Sequence, residues 1–359
     1  MKTHRRIFLQ ETAIGAGLLT AAWYLFYLFA VASMREYFRA GPFLDYVSGP
    51  AIHVEMIVSG LGLGLILALV SHLSEGTSLR LKPFGQIILV KSALYLVGLG
   101  LVALLVNVIF LVFLFSWEEL VGVWRSMSPG LMMGLGGWMV LSIVGVNFIM
   151  EVRRKVGPGN LGALLTGRYH RPREEDRVFL FLDLKGSTTI AESLGHRRYS
   201  EFLRQVYHDL TEIVLNSGAQ IYQFVGDEVV LTWRSNRAGS ESQSLQAFFA
   251  FREKLAKKKA WYSEAFGVVP EFRGGAEVGL VTATEVGDIK RDIAFHGDPL
   301  NTAARLLELC RDYGQPVLVS GRIKASISGD RTLTTERRGE VTLRGKREPV
   351  EVYGVTPAA

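Results

Sequence analysis

Four long apolar helices followed by an α/β sandwich is the fold class the sequence predicts, and three observations predict it. Charged residues are scarce before Glu151 and frequent after it, although 49% of the 359 residues are apolar. Four stretches of the first half are long and apolar enough to span a bilayer, for which about 20 residues suffice. In the second half short apolar strands alternate with helical patterns, which argues one mixed sheet covered by helices.

The spans are expected at Thr12–Met34, Met56–Leu73, Ser92–Trp117 and Leu131–Met150. A soluble all-helical domain would show charged faces, and these segments show almost none. Basic flanks favour the cytoplasmic side. Lys2, Arg5 and Arg6 precede the first span, Arg80, Lys82 and Lys91 separate the second and third, and Arg153, Arg154 and Lys155 follow the fourth. The other loops hold Arg35, Arg39 and Arg125. Both termini, and the domain after the fourth span, are therefore expected in the cytoplasm, in an integral protein of the cell inner membrane. A cleaved signal peptide is disfavoured, since Arg35-Glu36-Tyr37-Phe38-Arg39 follows the first span where small residues would be needed. His53 and Glu55 border the second span and read as interfacial.

The net charge of +6 is spread over membrane flanks and the second half rather than gathered into one recognition element, so no nucleic-acid partner is expected. Anionic lipid is the simpler partner for the juxtamembrane charges. The single cysteine, Cys310, excludes an internal disulfide and reads as a buried small hydrophobe. The organisation expected is a membrane domain at 1–150, a juxtamembrane linker at 151–176 broken by Gly157-Pro158-Gly159, and a catalytic domain at 177–359. Strands are expected at Val178–Asp183, Ala219–Phe224, Glu228–Trp233, Phe272–Val281 and Ile293–His296. Helices are expected at Thr188–Leu194, Tyr199–Ser217, Ser242–Tyr262 and Pro299–Tyr313.

The chemistry centres on Asp183 and Asp227. Asp183 ends the apolar run Val178-Phe179-Leu180-Phe181-Leu182, and Asp227 lies in a Gly226-Asp227 turn between two short strands. Carboxylates on neighbouring strands can clamp divalent cations against a phosphate. Gly186-Ser187-Thr188-Thr189 lies between strand and helix, where backbone N–H groups can cradle phosphate oxygens. An ordinary N-capped turn is the bland alternative. Asn301 and Arg305 are spaced to emerge on one helix face, with Asp298 as cap and Pro299 opening the helix.

Phe181-Leu182-Asp183-Leu184-Lys185-Gly186-Ser187-Thr188, then Phe224-Val225-Gly226-Asp227, then Asn301-Thr302-Ala303-Ala304-Arg305 resemble, in order, the three motifs of class III nucleotidyl cyclases. The resemblance runs from about Arg177 to about Val355. It implies a ferredoxin-like α+β sandwich, two Mg²⁺ or Mn²⁺ ions per active site at Asp183, Leu184 and Asp227, and a homodimer whose sites are shared between subunits. It implies that Asn301 orients the ribose, that Arg305 stabilises charge on the α-phosphate, and that Gly186, Ser187 and Thr188 bind substrate. Arg344, with Lys346 second, matches the family's basic hairpin residue that reaches the phosphates; Lys290 and Arg291 are further basic candidates. The purine-selecting positions hold Gln223 and Ala294, where adenylyl cyclases typically place Lys and Asp or Thr, and guanylyl cyclases Glu and Cys. The Gln223 amide both donates and accepts, and Ala294 does neither. ATP is the expected substrate, with cyclic AMP and pyrophosphate as products. GTP, or a catalytically silent nucleotide-binding module, is the alternative. A diguanylate cyclase is disfavoured because Val225-Gly226-Asp227-Glu228-Val229 lacks that family's signature.

Overall fold

The computed structural model describes residues 2–34, 48–75, 82–113, 116–126, 128–156, 160–235, 239–289, 291–342 and 348–358. They fall into two compact units, Met1–Val156 and Gly157–Ala359.

The first unit is helical: α1 (Lys2–Met34), α2 (Ala51–Glu75), α3 (Phe84–Phe113), the short α4 (Trp117–Ser126) and α5 (Pro129–Val156). All but α4 contain windows long and apolar enough to cross a membrane: Thr12–Phe29, Ile52–Leu73, Phe84–Val102 and Met132–Arg153. Small residues let the helices approach closely. At Gly64 of α2 an added Cβ would lie 2.5 Å from the backbone nitrogen of Ala16 in α1. Leu19, Leu63, Leu67, Tyr95, Val102, Ile143, Val146 and Met150 form the core, while leucines such as Leu25, Leu61 and Leu101 are turned outward.

Two expectations need correction here. The third apolar helix begins at Phe84 rather than Ser92, and Trp117 opens the separate helix α4. Lys91 is therefore no loop charge: it is buried inside α3 and paired with Glu151 of α5, beside Asn147, whose amide donates to Ser92 Oγ at 2.9 Å. A cation among apolar helices is tolerated when a carboxylate neutralises it, so Lys91 gives no weight to the orientation argument. Lys82 is exposed ahead of α3, whereas Arg35, Arg39 and Arg80 lie outside the described residues. His53 lies in the first turn of α2 between Tyr24 and Tyr27, with ring centroids 5.9 and 5.7 Å away.

The second unit opens with α6 (Asn160–Leu165) and is built on an eight-stranded mixed sheet: β1 (Arg173–Leu184), β2 (Gln220–Val225), β3 (Glu228–Arg234), β4 (Phe272–Val286), β5 (Asp292–His296), β6 (Val317–Ser320), β7 (Leu333–Val341) and β8 (Val350–Pro357). The order is β2-β3-β1-β4-β6-β8-β7, with β5 paired to β4. Strand β1 is central and buried on both faces, which is why its sequence is a continuous apolar run rather than an alternation. Val178, Leu180, Leu182 and Leu184 enter one core with residues of α7 (Ser187–Ser217), α8 (Ser240–Lys257) and α9 (Lys259–Phe266). Phe179 and Phe181 enter the other, with β5 and α10 (Asp298–Leu309).

Several boundaries differ from expectation for local reasons. The two helices expected before β2 join as α7, bent at Gly195, whose φ of 70° suits only glycine. The helix expected at Ser242–Tyr262 divides at Lys258. Strands β6 to β8 and the short α11 (Gly321–Ser326) lie where no element was expected. Asp298 is the first residue of α10 rather than its cap, with Gly297 in the cap position and Pro299 in the first turn. Gly275 brings α10 onto the sheet: a Cβ there would lie 2.2 Å from Ala303 O and 2.4 Å from Leu307 N. Cys310 follows α10 directly and is buried, and burial pushes its thiol up to about 12, as suits an inert core residue.

Candidate active site

The register of the central strands assembles the acidic site. Asp183, at the end of β1, is paired with Glu228 on β3 and with Arg273 on β4. Arg273 donates from Nη2 to Asp183 Oδ2 at 3.3 Å. Asp227 occupies the β2–β3 turn, which Gly226 makes possible with a φ of 62°. The Tyr207 hydroxyl of α7 holds that turn by donating to Gly226 O at 3.1 Å, and its ring lies 4.6 Å from that of Phe224.

Electrostatics set the acidic groups of this arrangement against one another. Burial first, and then the charge and hydrogen bonding of Asp227, push the Asp183 carboxyl up to about 6 despite Arg273. Glu228 is raised by burial, by both aspartates and by Glu308, and the hydroxyls of Tyr199 and Tyr207 are raised by burial and the same aspartates. Two carboxylates close enough to share a proton are relieved by a divalent cation. Among the described residues no group of three or more His, Cys, Asp or Glu forms a complete metal cage. A carboxylate pair suits Mg²⁺, which keeps waters and takes substrate phosphates as its remaining ligands. Asp183 and Asp227 therefore fit a metal held jointly with a nucleotide, and Leu184 is the next residue along β1.

Gly186 has a φ of 71° and α7 starts at Ser187, with no side chain capping the helix. The first-turn N–H groups at Ser187 and Thr188 thus have no side-chain acceptor on the cap, at a helix end that favours anions. Lys185 is tied to Glu271 at 3.2 Å.

Gln223 lies on β2 opposite Val230, and Ala294 on β5 opposite Thr284. These strands are not sheet neighbours, yet the Tyr222 hydroxyl accepts from Phe295 N at 3.4 Å and the two rings lie 5.1 Å apart. The residues next to Gln223 and Ala294 are therefore in contact. A register shift between Ile221 and Gln223 inserts Tyr222 and turns it to this contact.

Asn301 is exposed on α10, and Arg305 donates from Nη1 to both oxygens of Glu308 at 2.8 and 2.7 Å, rather than to Asp183 or Asp227. One chain thus brings Asp183, Asp227 and the Gly186–Thr188 turn together and keeps Arg305 on a different carboxylate. Arg344, Lys346 and Lys290 lie outside the described residues, and Arg291 is exposed near Glu285. Sequence reasoning missed Arg273, Glu228 and Tyr207. An arginine opening an apolar Gly-rich strand was the signal for Arg273, but only the β1–β4 register sets it beside Asp183.

The family model described as the adenylate and guanylate cyclase catalytic domain matches residues 170–356. Adenylate cyclase 2 of Rhizobium meliloti (strain 1021) is 34% identical over 209 residues, 58% of this chain and 58% of that protein. Adenylate cyclase 1 of the same organism is 25% identical over 209 residues, 57% of this chain and 30% of that protein. These matches thus take in less than two thirds of either curated relative. A solved structure of a bacterial light-regulated adenylyl cyclase superposes with a TM-score of 0.53 at 18% identity, covering 65% of this chain and 66% of that one, which is a likeness of fold.

Proposed function

Since the chain belongs to the adenylate and guanylate cyclase catalytic-domain family, we propose that it is a membrane-anchored adenylate cyclase converting ATP to 3′,5′-cyclic AMP and pyrophosphate in a homodimer. The observation that carries this reading is the Asp183–Asp227 pair, whose mutual repulsion helps raise Asp183 to about 6 and suits it to a divalent cation. Residues 1–156 act as the membrane domain and 157–359 as the catalytic unit, whose first strand begins at Arg173 within the segment 151–176 expected as linker, with the catalytic unit in the cytoplasm.

Asp183 and Asp227 would hold Mg²⁺ or Mn²⁺, two ions per site, with Leu184 beside them. When bound, the metal lowers the pKa of the ribose 3′ hydroxyl and neutralises phosphate charge. The chain's own groups supply position and charge. Backbone N–H groups at Gly186, Ser187 and Thr188 receive phosphate oxygens, and Arg273 adds a fixed cation on the same strand register. The Gln223 amide meets the base edge, and Ala294 leaves room beside it. Asn301 orients the ribose, and Arg305 stabilises charge on the α-phosphate as the 3′ oxygen attacks and pyrophosphate leaves. Arg344, by its match to the family's basic hairpin residue, is assigned to the phosphates.

A shared site, in which Arg305 and Asn301 of one subunit meet the aspartates of the other, is what the resemblance of the three motifs implies. A two-fold pair then builds equivalent composite sites. Separating the products formed from ATP and from GTP by purified full-length protein with Mn²⁺ tests the assignment. Cyclic AMP in excess is expected; cyclic GMP in excess moves the reading to guanylate cyclase, and neither product ends it.

A further inference from the structure

A fully buried arginine lies well away from the acidic site. Arg177, near the start of β1, is 1% exposed, and burying such a charge costs several kcal/mol unless it is paired and hydrogen-bonded throughout. Here it is. Nε and Nη2 donate to Glu175 Oε2 at 2.9 and 2.7 Å, Nη1 donates to Gln220 Oε1 at 3.1 Å, and Nη2 reaches the Tyr169 hydroxyl at 3.3 Å. The guanidinium also stacks over the Phe295 ring, 4.3 Å from its centroid. A structural ion pair would need Glu175 alone.

The other partners have something in common. Gln220 opens β2, the strand of Gln223, and Phe295 follows Ala294 on β5. Among the described residues β2 pairs only with β3 and β5 only with β4, so no ladder joins them directly and their separation is otherwise set only through β3, β1 and β4. What spans the gap is side chains: Arg177 on Gln220 and Phe295, and the Tyr222 hydroxyl on Phe295 N, within an aromatic group that includes Phe179. Tyr169, ahead of β1 and 4% exposed, completes the clamp. Its hydroxyl donates to Glu175 Oε1 at 3.1 Å and accepts from Arg177 and, at 2.8 Å, from Arg234 Nη2. Its carbonyl accepts from Glu285 N at 2.8 Å.

We propose that Arg177 is a positioning residue for the purine pocket, fixing the separation of Gln223 and Ala294, and that Tyr169 holds Arg177 in the conformation that does so. The proposal rests on the assignment of Gln223 and Ala294 to the base. It makes ground-state recognition of the purine, rather than phosphoryl chemistry, the property these residues control.

The test uses the full-length protein in detergent with Mn²⁺, comparing Tyr169→Phe, Arg177→Lys and Gln223→Lys for kcat, KM with ATP and with GTP, and melting temperature. Tyr169→Phe keeps the ring and removes only the hub hydroxyl, so it carries the test if Arg177→Lys fails to fold. The expected result for Tyr169→Phe is a KM for ATP raised about fivefold or more with kcat within about twofold, and an altered ratio of kcat/KM between ATP and GTP. Loss of kcat and melting temperature with KM and the ratio unchanged would show a purely structural role and overturn the proposal. If Gln223→Lys shifts the ratio while Tyr169→Phe does not, the clamp is rejected and the base site stands. If Gln223→Lys leaves the ratio unmoved, the base-site assignment itself falls, and the proposal with it.

Discussion

Arg273 donates to Asp183 across the β1–β4 pair at 3.3 Å, yet this fixed cation does not keep Asp183 in the ordinary carboxylate range. Burial and Asp227 outweigh it, and the carboxyl sits at about 6. Arg273 therefore moderates a conflict that the two aspartates create. Replacing Arg273 with Gln removes the cation that holds Asp183 down, so Asp183 should titrate higher still. Metal binding requires the ionised form, and the pH at which Mn²⁺ affinity is half lost should rise in Arg273→Gln. Mn²⁺ titrations from about pH 5 to 8 check this, and an unchanged or lower midpoint contradicts it.

The same conflict predicts an unusual stability profile without metal. A carboxyl raised from 3.8 to about 6 by folding binds its proton more tightly in the native state. Stability from this group is present in full below the unfolded value and is lost as pH rises through the folded one. Metal-free protein should thus melt at progressively lower temperature from about pH 4 to about pH 6, against the background of other groups. Asp183→Asn should flatten that component. Profiles of identical slope for the wild type and for Asp183→Asn would rule out the raised carboxyl.

Turnover should depend on both carboxylates. Asp183→Asn and Asp227→Asn keep side-chain shape and lose the anionic ligand, so each should lose about a hundredfold or more in kcat while folding normally. At neutral pH the metal-free Asp183→Asn protein should melt no lower than wild type, because a repulsive charge has gone. Cyclic nucleotide assays and melting curves with and without Mn²⁺ read both effects; full activity in either variant sinks the metal assignment.

Gly275→Ala should destabilise the catalytic unit by about 3 kcal/mol, since the added methyl would overlap backbone atoms of Ala303 and Leu307 that no side-chain rotation can clear. Helix α10 would have to lift from the sheet, carrying Asn301 and Arg305 with it. Chemical denaturation measures the loss. A variant as stable as wild type would mean that α10 does not rest on Gly275.

Sequence patterning made the principal strands legible because β1 is buried on both faces, and the acidic turn because a Gly-Asp pair punctuates two short strands. It did not reveal what long-range register decides. Arg273 carries only the weak local sign of opening a Gly-rich strand and Arg177 carries none, and the roles of both arise from strands far apart in the chain. Lys91 misled for the converse reason. A lysine near a span end reads as a flank, until a carboxylate on another helix proves to be its partner. Strands β7 and β8 were missed because their burial is broken: Arg337, Arg338, Glu340 and Glu351 interrupt any apolar period.

Shared sites in a homodimer give the last prediction. In one chain Arg305 is engaged by Glu308, and Asp183 meets Arg273 instead. If Asp183 and Asp227 of one subunit work with Asn301 and Arg305 of the other, a mixed dimer has one site carrying both lesions and one carrying none. Asp183→Asn and Arg305→Ala, each nearly inactive alone, should then recover activity when co-expressed, approaching half the wild-type rate per dimer because one site of two is intact. Differently tagged subunits, purified through both tags, ensure that only heterodimers are assayed. A heterodimer as inactive as its parents would place all four residues in a site built by one chain, and Arg305 would have to leave Glu308 to reach it.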